Sequence, residues 1–289
     1  MNIHRGFAIR NLAVLCGAVL VLALSSHAQT LGQGISGGTS PGDARSVDSQ
    51  EADMRALVDA QRQTNEDPKE TAAYKEFYKA AEPAQKIKLG TTFLQKYPKS
   101  YLDEPVEVGL LDAYYSNKDW KNVYSTADSA LALKPNDVYV LTTVGWLIPH
   151  VYNPNDPDAG KLLTTAEQYS KYAIDVVPKM DKPSHMNDKQ FEAMKDQYAH
   201  KAHSALGLVY FRRGYFDLSV KELQQAISGL PNPDETDLYV LGVDLDNLKR
   251  YSEAADVYDR CAAQAGGPFV DRCKQSASDS RNLAAQPKQ

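Results

Sequence analysis

The stretch Leu206-Gly207-Leu208-Val209-Tyr210, followed by Gly214, Ser219, Leu223, Ala226 and Pro231, decides the fold. It recurs 35 residues later as Leu241-Gly242-Val243-Asp244-Leu245, then Lys249, Ala254, Tyr258, Cys261 and Gly266. Self-similarity at such a period marks a stacked array of small units, each too small to bury its apolar face alone. The residue types say what the unit is. Two antiparallel helices pack closely only where a small side chain on one meets a bulky one on the other. Gly207 and Ser219 allow the approach, Tyr210 and Leu223 fill the space, and Pro231 closes the second helix.

Weaker units lie upstream. Leu110, Leu111, Tyr114, Trp120, Val123, Ala130 and Pro135 form one, and Val144, Gly145, Ile148, Ala166, Ala173 and Pro178 another. Before them, helices near 68–81 and 83–97, closed by Pro98, make a partial unit. The body starts at Asp67-Pro68-Lys69-Glu70, where Asp67 can accept from free backbone N–H groups and Pro68 suits the first helical position. From there to about Gln286 the apolar spacing is helical, with almost no strand alternation, so the fold class is all-α. The closing prolines at 135, 178 and 231 stand too far apart for a uniform repeat, which implies two insertions. One is the Pro- and Asx-rich run 149–160. The other spans 179–198, with Asn187 or Asp188 as the cap of a lengthened helix running to Arg213.

The pattern resembles the tetratricopeptide repeat over roughly residues 68–266. That resemblance implies a right-handed solenoid of about five antiparallel helix pairs over 67–282, with the two insertions, a C-terminal capping helix and a frayed tail at 283–289. It also implies a concave groove lined by the first helix of each pair. Carried over unit by unit, the groove residues are Asp112 and Tyr115, then Thr142 and Trp146, then Lys201, Ser204, Leu208, Phe211 and Arg212, then Tyr239, Val243 and Asn247. The family's clamp for a C-terminal carboxylate uses paired Lys and Asn; the matching slots here hold Ser204, Leu208, Tyr239 and Val243. Tyr115, Trp146, Phe211 and Tyr239 read better as anchors for apolar side chains of an extended peptide or partner helix.

Composition narrows the function. The 289 residues are 43% apolar, enough for a core, and carry 32 basic against 37 acidic residues. The first 28 hold two of the basic residues and no acid, so beyond them the acidic excess rises from five to seven, and no basic stripe exists to follow a nucleic-acid backbone. No nucleophile elbow, phosphate loop or Cys-x-x-Cys is present, and we expect neither enzymatic activity nor a cofactor. Gly32, Gly34 and Gly37 spell a dinucleotide-type motif, but without the strand and helix that such a site needs. Asn153, Asn155, Asp156 and Asp158 imitate a calcium loop, yet Pro157 stands where a ligand would and no acid closes it, so a rigid turn is expected. His200 and His203 share a helix without the carboxylate of a metal motif.

Residues 1–28 read as a signal peptide, with Arg5 and Arg10 before an uncharged run from Leu12 to Leu24 and a Ser26-His27-Ala28 end. The run is too short to span a membrane, so no stable insertion is expected after cleavage. No Asn-x-Ser/Thr occurs, which leans toward a bacterial periplasmic or secreted protein. Residues 29–66 follow as a Gly/Ser-rich linker and a marginal helix. Cys261 and Cys273 lie symmetrically about the Gly266-Gly267 hinge and so face one another on neighbouring helices. A disulfide is expected in an oxidising compartment, buried free thiols being the alternative. The last helix should carry Arg272, Lys274, Asp279 and Arg281 on its outside as a solubilising cap.

The sequence therefore points to an exported helical-repeat scaffold that binds a protein or peptide, in an envelope assembly or secretion complex. The alternatives are an envelope enzyme or subunit with a site on the insertions, or a structural oligomeric array. Protein purified from its native host should begin at Gln29 by mass spectrometry, and an intact Met1 in the membrane fraction would refute export with cleavage.

Overall fold

The computed structural model describes residues 67–264 and 266–286. The expected signal peptide, linker and marginal helix, and the last three residues of the tail, lie outside the described residues. Within them the chain is all-α: α1 Pro68–Lys79, α2 Pro83–Lys96, α3 Asp103–Ser116, α4 Trp120–Leu133, α5 Val138–His150, α6 Ala159–Val176, α7 Asp188–Arg212, α8 Phe216–Ala226, α9 Glu235–Asn247, α10 Tyr251–Ala262 and α11 Val270–Ala284. A short 3-10 turn, Val177–Lys179, follows α6.

The helix starts follow from the sequence. Asp67 accepts from Lys69 N at 2.9 Å, with Pro68 at the first helical position. Asn187 and Gln190 cap α7 reciprocally: the Asn187 carbonyl oxygen accepts from Gln190 N at 2.9 Å and Gln190 Oε1 accepts from Asn187 N at 3.0 Å. In the first insertion, Asn153 accepts from Asn155 N and Asp156 from Asp158 N, at 3.0 and 2.8 Å. These two oxygens are thus occupied in Asx turns.

The described chain forms two units. One comprises residues 67–144 and 175–198. In it α1, α2, α3 and α4 pack in sequence, and Tyr74, Phe77, Phe93, Leu102, Val106 and Leu110 form the core between the first three. The Phe77 ring occupies the space that small residues leave open: a methyl group on Gly109 would stand 2.7 Å from it, and one on Gly90 2.8 Å.

The other unit comprises residues 145–174 and 199–286. Its pairs interlock through the predicted small-to-large contacts. A methyl on Gly207 would stand 2.7 Å from Leu223 Cδ2, and one on Gly242 2.7 Å from Tyr258 Cδ1. In both cases the partner lies 16 residues further on. Gly145 faces Ser170 at 3.1 Å, a spacing nine residues longer because the first insertion lies between them. The turn that joins each pair also repeats. Gly214 and Lys249, equivalent across the 35-residue period, have φ of 77° and 60°. Tyr215 N donates to Tyr210 O, and Arg250 N to Leu245 O, the bond that closes a helix through a left-handed residue. Lys118 repeats the geometry in the first unit with φ of 57°.

At the C-terminal end Cys261 and Cys273 form a disulfide, both side chains wholly buried, joining α10 to α11. Ser280 Oγ donates to Asp246 Oδ1 at 2.8 Å, and Arg281 pairs with Asp259. The last helix continues to Ala284, two residues past the expected end, and Arg272 departs from the expected exposed face: it turns onto the rings of Tyr239 and Phe269.

The two glycine roles separate experimentally. Gly242→Ala overpacks the Tyr258 contact and should cost about 1–3 kcal/mol, read as a lower melting temperature. Lys249→Gly relieves a left-handed lysine and should stabilise by about 1 kcal/mol.

Candidate functional site

The richest cluster of chemistry in the second unit begins where α5 ends. A helix leaves its last carbonyls without intrahelical partners, and Pro149 has no N–H to donate. His150 fills part of the gap by donating from Nδ1 to Trp146 O at 2.7 Å. Its ring then stacks on Trp146 with centroids 3.7 Å apart. Because the donor is Nδ1, Nε2 carries a lone pair, and that atom is buried with no partner. Burial is the main cause of a pKa held down to about 4, reinforced by Arg212 and Lys201 and opposed by Asp234. His150 is neutral at physiological pH.

From α7, Lys201 places its ammonium 5.6 Å from the centre of the Trp146 ring. Arg212 packs its guanidinium over Tyr152 at 5.4 Å and Phe211 at 5.8 Å, and donates to Pro149 O at 3.2 Å. Ser204 donates to Asp237 Oδ1 at 2.8 Å. Burial pushes the Asp237 carboxyl far above its usual range, and Asp234 adds to that, while the Ser204 bond opposes it. Asp234 caps α9 by accepting from Thr236 N at 2.7 Å. Further along, Tyr239 stacks on Phe269 with centroids 4.9 Å apart, and Arg272 lies over both rings. Glu235, raised to about 7 chiefly by burial, accepts from Phe269 N.

The expected groove residues thus divide. Trp146, Lys201, Phe211 and Arg212 come together, partly exposed, in one cluster. Ser204, Leu208, Tyr239 and Val243 are buried among packed helices, and Asn247 donates back to Val243 O. In the first unit Asp112 accepts from the Tyr139 hydroxyl, Tyr115 meets Trp120 edge-on, and Thr142 is wholly buried with its hydroxyl donating to Val138 O. The two histidines of α7 turn to different partners, His203 to Glu222 and His200 to Gln225 O. Among the described residues no cluster of His, Cys, Asp and Glu could hold a metal ion, and no helix is long and apolar enough to cross a membrane.

His150, Tyr152 and Arg272 were absent from the expected groove. A signal for His150 existed: it lies five residues after Gly145, as Arg212 does after Gly207 and Asn247 after Gly242. Tyr152 lies in an insertion, outside any repeat register.

A second buried acid stands on the same helix as Asp237. Asp244 is 0% exposed and neither carboxylate oxygen has a partner. The adjacent Ser219 hydroxyl, which would lower its pKa, donates instead to Gly207 O. Burial raises Asp244 to about 8, so the folded chain holds this proton while the unfolded chain releases it near its usual carboxylate pKa. Between those limits the unfolded state binds fewer protons, and stability falls as pH rises. Asp244→Asn should remove this slope. The variant should gain about 2 kcal/mol or more over wild type at pH 7, shrinking toward pH 4, in denaturant titrations at several pH values.

No family model matches the chain, and no curated protein matches it. Among solved structures, the chain is similar to a thermophilic TPR protein of Thermus thermophilus, at a TM-score of 0.43 and 16% identity, over 74% of this chain and 99% of that one. A likeness at that level carries no argument about what the chain binds.

Proposed function

We propose that the chain is an exported helical-repeat scaffold that binds a protein partner through the face carrying Trp146, Phe211, Lys201 and Arg212. The observation that carries this reading is the cluster itself: partly exposed aromatic rings, each with a cation beside it, fixed on the ends of packed helices. Large planar side chains with few rotamers lose little entropy when a partner covers them, and such residues dominate binding energy at interfaces. The buried disulfide is in keeping with an oxidising compartment, and the periplasm of a bacterial envelope is the location we assign. The class of partner that follows is an extended segment or a helix of an envelope or secretion complex, which the surface would hold without chemical change.

Trp146→Ala and Phe211→Ala test the reading. Each should weaken capture of a stoichiometric partner from the native envelope fraction by about 2 kcal/mol or more, with little change in melting temperature. A loss of about 3–5 kcal/mol in stability, with binding per folded molecule unchanged, would show that these rings are core and would remove the support for a binding face.

A further inference from the structure

Arg212 carries a charge that its surroundings do not neutralise. Although its side chain as a whole is half-buried, the guanidinium is deeply enclosed: it lies over the rings of Tyr152 and Phe211 and gives one hydrogen bond to the neutral Pro149 carbonyl. Its Nε–H is shut off from solvent and has no acceptor, and among the described residues Arg212 forms no ion pair. Burial lowers its pKa to about 10, which still leaves it a cation at neutral pH. A desolvated, unpaired charge is costly to the fold. The nearby groups do not relieve it. Lys201 adds a second cation, and the two acids of the cluster bond elsewhere, Asp234 accepting from Thr236 N and Asp237 from the Ser204 hydroxyl. Within electrostatic reach of Arg212, the buried Nε2 of His150 is an acceptor with no donor.

We propose that Arg212 anchors an anion subsite whose occupant is an acidic side chain, aspartate or glutamate, within an extended segment of the partner protein. The inference rests on the scaffold reading given above. It adds the chemical class that this face selects. A guanidinium stacked on aromatic rings keeps its in-plane N–H edge for a ligand, and that planar fork matches a carboxylate. The peptide backbone beside the acid supplies an N–H donor, which is what His150 Nε2 lacks. A phosphomonoester dianion offers acceptors alone and leaves that atom unmet. The unmet atoms are closed to solvent in the free protein, so side chains around the guanidinium must shift for the carboxylate to reach Nε–H.

The test uses the mature chain, its Arg212→Met and Arg212→Lys variants, and end-blocked decapeptides. One peptide alternates glutamate with leucine, the other glutamine with leucine; blocked ends exclude recognition of a terminal carboxylate. Without ligand, Arg212→Met should melt about 3 °C or more above wild type, because an unpaired buried charge has gone. Wild type should bind the glutamate peptide at least about tenfold more tightly than its glutamine counterpart. Arg212→Met should bind the two alike, and Arg212→Lys should keep part of the preference. A lower melting temperature for Arg212→Met would make the guanidinium a structural element and overturn the proposal. Equal binding of both peptides to wild type would overturn the acidic preference and leave the binding face standing, whereas binding of neither at millimolar concentration would bring down both. Displacement of the glutamate peptide by equimolar inorganic phosphate or by phosphatidylglycerol vesicles would assign the charge to a free anion or a membrane instead.

Discussion

The close approach of paired helices at Gly207 against Leu223, and again at Gly242 against Tyr258, is the constraint on which the second unit depends. A glycine that must face the partner helix fixes the rotation of its own helix, and rotation decides where every other side chain points. Residues three before, one after and five after each glycine then fall on one adjacent stripe. On α5 that stripe is Thr142, Trp146 and His150; on α7 it is Ser204, Leu208 and Arg212; on α9 it is Tyr239, Val243 and Asn247. The candidate site is therefore a by-product of helix pairing, with the side chains at those positions supplying the chemistry.

How much of this could be read from the sequence follows from the same geometry. The 35-residue period, the capping residues, the two insertions and the facing cysteines are local or periodic features, and the structure places them where the sequence does. A repeat register also assigns each residue a direction around its helix. It does not say how deeply the neighbouring helix covers that direction, and so Thr142, Leu208 and Val243 share a stripe with Trp146 and Arg212 yet are buried. Arg272 shows the same limit from the other side: its spacing on α11 suits a solvent-facing position, but the Tyr239 and Phe269 rings draw it in. Tyr152 had no register at all, because an insertion has no period to compare.

Electrostatics was the least legible layer. Asp237 and Asp244 stand on α9 among apolar residues, and nothing in their spacing separates a buried acid from an exposed one. Their consequence is a unit whose buried carboxyls prefer to be neutral, while its cations, Lys201, Arg212 and Arg272, sit against aromatic rings. A core selected for stability alone favours apolar replacements at such positions. Arg212 and Asp244 both depart from that rule, but they do so differently: Arg212 adjoins partly exposed rings, whereas Asp244 is sealed inside.

The Cys261–Cys273 bond changes what damage means at the C-terminal end. The terminal helix of a repeat array has a neighbour on one side only, so it opens more readily than those within. Here the connection between α10 and α11 is a closed covalent loop. A protease that nicks this turn between the two cysteines leaves the molecule in one piece, with α11 still tethered opposite α10 and free to return to its place. Oxidation thus makes the exposed hinge a cleavable segment whose cleavage releases nothing, and only loss of the disulfide as well would free the last helix.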